Sequence, residues 1–197
     1  MADPTKTQII AFLRAILNDE IRSGVDIAQY NISSVFSLSE PNTQTVAGVS
    51  VNDVSSGVTY TYDSALQKVT VSSSLITDDI IEMNYTYYSN YSDTELTGYI
   101  KHAMGYISIN QYADWQIKDD NNIYPTPTFA EQNLIAMVAA VIIDPQNQSI
   151  RTPDFSVNIK NPMSTADMIS KIIAIFKKSP AGLFTILGSD EPVEGAY

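Results

Sequence analysis

The chain has no cysteine among its 197 residues, which excludes a disulfide framework and any zinc site built on thiolates. It has one histidine, His102, so imidazole chemistry has a single residue to work with. Charge is scarce, at 17% of residues, and lopsided: 11 Lys and Arg face 22 Asp and Glu, for a formal net charge of −11. Phosphate contacts by Lys and Arg supply most nucleic-acid affinity, so direct nucleic-acid binding is disfavoured. The longest apolar run, Leu134–Ile143, is far short of the ~20 residues that span a membrane. The N-terminal MADPTKTQII shows no basic segment leading into an apolar one, so no secretory signal is read there. The expectation is a soluble protein made in the cytoplasm.

What the chain does have is apolar bulk and tyrosine. Hydrophobic residues make up 44%, enough for one good core or two small ones, and 12 Tyr outnumber 6 Phe and 1 Trp. Asp3-Pro4, followed by Ile9, Phe12, Leu13, Ile16, Leu17 and Ile21 at helical spacing, predicts a first helix over about residues 4–23. Gly24 reads as its C-terminal stop. From Tyr30 the period changes to two, with short β-rich runs at Val35–Leu38, Val49–Val51, Thr59–Tyr62 and Lys68–Val71. The clearest strand is Ile81–Tyr87, whose Ile81, Met83, Tyr85 and Tyr87 share one face, as in a half-buried antiparallel strand.

Ser92-Asp93-Thr94-Glu95 then opens the helix around which the chain is organised. Leu96, Ile100, Ala103 and Ile107 form one apolar stripe, while Gly98, Gly105, Ile109 and Tyr112 lie on the other side. Two interior glycines cost roughly 1 kcal/mol each relative to alanine. The expectation is therefore a helix contacted on two sides, with a second backbone close to the glycines. Lys118–Pro127 reads as a polar loop. Thr128–Glu131 is a second capping box, leading into a helix that is apolar nearly all round and hence fully buried. Phe155–Ile159 alternates like a strand, and Ser164–Asp167 caps a fourth helix lined by Ile169, Ile172, Ile173 and Phe176.

The fold class is thus α+β: a four-helix core with an inserted antiparallel β module after the first helix and an extended C-terminal arm. Residues 1–29 supply the N-terminal helix and 30–91 the β module. Residues 92–180 return to the helical core with a candidate β arm at 153–160, and 181–197 form the tail.

Catalytic constellations are poorly represented. His102 has no Gly-x-Ser-x-Gly elbow to serve. The carboxylate pairs Asp78-Asp79, Asp119-Asp120 and Asp190-Glu191 are adjacent residues, which usually point apart, whereas glycoside hydrolysis needs two carboxyls facing each other across the substrate. Asp119-Asp120-Asn121-Asn122 offers oxygen ligands of the kind Ca²⁺ takes, but lacks the glycine and distal glutamate of an EF-hand loop. A solvated turn is the stronger reading, and neither a metal nor a cofactor is expected. The tyrosines Tyr85, Tyr87, Tyr88, Tyr91, Tyr99, Tyr106 and Tyr112 fit either an interface, where Tyr is enriched, or packing of the sheet on the central helix.

The module VSVNDVSSGVTYTYDSALQKVTVSSSLITDDIIEMNYTYYSNYSDTEL resembles a strand-turn layout of tailed-bacteriophage virion proteins. The chain as a whole is similar to head–tail connector (adaptor) proteins. The resemblance implies a non-catalytic, homo-oligomeric ring in the virion neck, with the portal protein above, a stopper or tail protein below, and DNA passing through the lumen without sequence-specific contact. The large β insert departs from the simplest adaptors, which are nearly all helical. Subunit or portal contacts are expected from Gly98, Gly105, Ile109 and Tyr112 on the central helix. The others are Phe155, Val157 and Ile159 on the arm, and Leu183, Phe184, Ile186 and Leu187 in the tail. The competing expectation is a ligand- or receptor-binding β module of another phage tail or fibre protein, which requires Tyr85 and Tyr87 to form an exposed aromatic platform.

Overall fold

The first helix, α1 (Thr5–Leu17), ends where Asn18 takes a left-handed conformation at φ 53°, one that Asn tolerates better than most residues. The chain continues as strand β1 (Ile21–Gln29). This corrects the helix expected over 4–23 and the β module expected to start at 30. Leu17 and Ile21 stand four apart and extend the helical pattern. Yet IRSGVDIAQ also alternates with period two, and pairing along its whole length with a later strand decides the outcome. Gly24 is consequently no helix stop but a strand residue.

The structure, a computed structural model, describes residues 5–110, 112–119, 122–145, 149–151, 156–158 and 164–178. The chain divides into a β unit, Asp19–Ser92, and a helical unit made of residues 1–18 and 93–197.

The β unit adds β2 (Val35–Ser37), β3 (Thr43–Val51), β4 (Tyr60–Asp63), β5 (Lys68–Val71) and β6 (Ile80–Tyr88). They form two antiparallel three-stranded sheets, in the orders β1-β6-β3 and β2-β5-β4. Phe36, Val69 and Val71 from one sheet, Leu38 just past β2, and Val49, Ile81, Met83 and Tyr85 from the other share a core, the arrangement of a β-sandwich. Tyrosines stitch the sheets together: Tyr60 Oη donates to Val46 O at 3.3 Å and Tyr62 Oη to Thr43 O at 2.9 Å. Burial raises the Tyr62 phenol above its usual range.

In the helical unit, α2 (Asp93–Ile109), α3 (Phe129–Ile143) and α4 (Thr165–Lys178) follow. Helix α3 is the hub, packing against α1, α2 and α4, and every residue from Gln132 to Val141 is buried. Its capping box is complete, with Thr128 N–H donating to Glu131 Oε2 at 2.7 Å and Glu131 N–H to Thr128 Oγ1 at 3.4 Å. At the start of α4, Asp167 N–H donates to Ser164 Oγ at 3.2 Å, and Ile169, Ile172, Ile173 and Phe176 are buried.

Between α2 and α3 the expected polar loop is a hairpin, β7 (Gln116–Asp119) with β8 (Asn122–Tyr124). Buried Trp115 and Ile123 anchor it. Two further short strands, β9 (Ser149–Arg151) and β10 (Ser156–Asn158), pair antiparallel, so the middle of the expected arm is a strand with a partner in its own chain.

Candidate interaction surfaces

Helix α2 is built as a two-sided element. Leu96, Ile100, Ala103 and Ile107 are buried, as the stripe predicts, and Met104 joins them. This side packs on α3 and α1. The Arg14 guanidinium, itself buried, reaches the Asp93 carboxylate at 2.6 Å and ties the end of α1 to the start of α2. At the other end, Lys177 Nζ donates to Asn110 O at 2.6 Å, joining α4 to the end of α2.

The opposite side of α2 is open among the described residues, with Gly98 half-buried and Gly105 exposed. A methyl group placed on Gly98 or Gly105 meets nothing within 4 Å among the described residues beyond α2's own backbone. Lys101, His102 and Tyr106 are exposed beside them, and Ile109 is 78% exposed. The expectation that a second backbone sits against the glycines thus finds no such backbone within the described chain. Helical spacing reveals which residues share a face, but not whether that face finds a partner in the same molecule. Tyr112 departs from this face. It is half-buried, its ring centroid lies 6.2 Å from that of Trp115, and burial, with a contribution from Glu131, pushes its phenol up.

Of the arm residues, Val157 lies in β10. Phe155 and Ile159, and the tail residues Leu183, Phe184, Ile186 and Leu187, lie outside the described residues. So do Asp120 and Asn121 of the candidate Ca²⁺ loop. Among the described residues, no three His, Asp or Glu side chains gather as they would around a metal ion, and no helix is long and apolar enough to cross a membrane.

The aromatic platform expected of a ligand-binding β module is not there. Tyr85 is only 3% exposed and belongs to the sandwich core, with Tyr87 packed partly against it. Burial, followed by the charge of Asp26, pushes the Tyr85 phenol up to about 12. The strand alternation places Tyr85 on the correct face; the second sheet then covers that face.

Two surfaces escape the sequence reading. The first is the outer face of β1, where Ile21, Val25 and Ile27 are exposed. Its signal is the alternation of IRSGVDIAQ, hidden by the helical spacing that runs into it. The second is a shallow hollow of about 310 Å³ on the helical unit, lined by Thr7, Gln8, Ala11, Phe12 and Phe129. There the Phe12 and Phe129 rings meet edge to face at 5.3 Å.

Comparison with known protein families finds no matching family model, and comparison with curated proteins finds no match.

Proposed function

We propose that the chain is a structural, non-catalytic subunit of a tailed-phage neck. In this reading it forms a homo-oligomeric ring between the portal protein above and a stopper or tail protein below. It is made in the host cytoplasm and incorporated into the virion, and DNA passes through the lumen. The observation that carries the reading is the open side of α2. Two glycines in the body of a helix cost roughly 1 kcal/mol each, and among the described residues no other element approaches either position. Glycines on a helix surface permit close approach of another backbone. Beside Tyr106 and the 78%-exposed Ile109, that face is suited to a neighbouring subunit. The low charge content and net charge of −11 fit a ring that DNA traverses without sticking.

The ligand-binding alternative loses support, since Tyr85 is core and Tyr87 is partly buried against it. The connector reading is tested by imaging phage particles that carry this chain and by mixing the purified protein with the portal protein. A ring of density at the neck that fits both units supports it. A protein that stays monomeric and portal-free at high concentration overturns it.

A further inference from the structure

We propose that β1 is a self-association edge, pairing antiparallel with β1 of a second copy about a two-fold axis at Gly24. The proposal does not rest on the connector reading and uses a different surface.

Strand β1 is terminal in the order β1-β6-β3, and among the described residues nothing pairs with its outer edge. Exposed edges are normally blunted by proline, lysine or a bulge. The other terminal strand of the same sheet follows that rule, with register shifts at Thr43/Thr45 and Val46/Gly48. The β1 edge has no bulge, proline or lysine: nine residues pair with β6 without a shift, and its only charges, Arg22 and Asp26, are of opposite sign and so can pair across a two-fold instead of repelling a second copy.

The side chains select both the occupant and the register. With the axis at Gly24, Arg22 of one copy stands opposite Asp26 of the other, on the inner face. Ile21 stands opposite Ile27 on the outer face, and Ser23 opposite Val25. Opposite charges and apolar pairs directly across a ladder are favourable, whereas like charges are not. Moving the axis to Ser23 sets Glu20 against Asp26. Moving it to Val25 leaves Arg22 facing Ala28 and Ile27 facing Ser23. Only the Gly24 register satisfies both faces. Arg22 is exposed, and no acid pairs with it among the described residues. Ile27 is 69% exposed, so each is available to a second copy. The charge pattern also disfavours a purely acidic partner, which would meet Asp26 and Glu20.

Sedimentation velocity across a concentration series tests the proposal, with hydrogen exchange of the β1 amides as a second readout. The wild-type protein should dimerise, and its β1 amides should exchange more slowly as concentration rises. Arg22→Glu should weaken the dimer at least tenfold by setting a second carboxylate against Asp26, and Ile27→Lys should weaken it similarly. An equimolar mixture of Arg22→Glu with Asp26→Lys should recover association, because in that heterodimer both cross-strand pairs are free of the acid–acid clash that each Arg22→Glu homodimer carries twice. Should Asp26→Lys fail to fold, since Asp26 also accepts from Ser39 N and Oγ at 2.6 and 2.9 Å, the hydrogen-exchange arm on wild type and Arg22→Glu decides. Concentration-independent exchange of β1, or a dimer that Arg22→Glu leaves unchanged, overturns the proposal.

Discussion

Replacing both glycines of α2 separates stability from assembly. Gly98 and Gly105 sit about two turns apart on the helix, and among the described residues a methyl group at either position enters open space. Alanine is better than glycine in a helix interior by about 0.8–1.0 kcal/mol. Sites this far apart with no shared partner are close to additive, so Gly98→Ala/Gly105→Ala should stabilise the isolated chain by roughly 1.5–2 kcal/mol. For a chain of this size that corresponds to a rise of about 3–8 °C in Tm. Thermal and urea unfolding followed by circular dichroism at 222 nm gives the number. The larger Gly105→Leu should keep much of the gain, because the same open space receives it, yet should abolish ring assembly and portal binding. A double-alanine variant less stable than wild type refutes the reasoning, because the glycines would then be pressed against the chain itself.

Three further substitutions probe the interior. Gly24→Ala should destabilise the β unit by roughly 1–3 kcal/mol, because its new methyl would lie 2.7 Å from Tyr85 Cε2 on a ring held in the core; urea unfolding reads it. The Tyr85 phenol, raised to about 12, lies above its ordinary value of 10. Its stabilising effect is therefore complete below pH 10 and lost as pH rises from 10 toward 12, roughly 2–3 kcal/mol in all. Tyr85→Phe should flatten that fall in a pH series of unfolding curves. Asn133 is fully buried in α3, with Nδ2 donating to Phe129 O at 3.0 Å and Oδ1 without a partner among the described residues. Asn133→Asp should cost about 3–5 kcal/mol at neutral pH by burying an uncompensated charge, and acidification should relieve part of the loss.

Where one signal dominated, the sequence was legible. The α3 run from Leu134 to Val141 is apolar on every side, and every side is buried. In β6, period-two alternation set Ile81, Met83 and Tyr85 facing inward, and all three are core. The failures fell where two periods coincide. Ile21 extends the spacing of α1 while opening the alternation of β1, and the left-handed Asn18 that separates them carries no unique local signature. In Lys118–Pro127 the acidic and Asn residues of the turn masked Ile117 and Ile123, which face each other across the β7–β8 ladder. The candidate surface was legible in part. Spacing identified the Gly98, Gly105 and Ile109 side of α2, whereas Tyr112, just past the helix end, packs beside the buried Trp115. Whether a face is covered by its own molecule depends on tertiary placement, which no local pattern encodes.

The absence of native cysteine makes the central claim directly measurable. A single Ile109→Cys substitution places one thiol on the open side of α2, and maleimide labelling reports its accessibility. Rapid labelling of the isolated subunit, with strong protection in assembled particles, is the expected result; equal labelling in both states would contradict a subunit contact at that face.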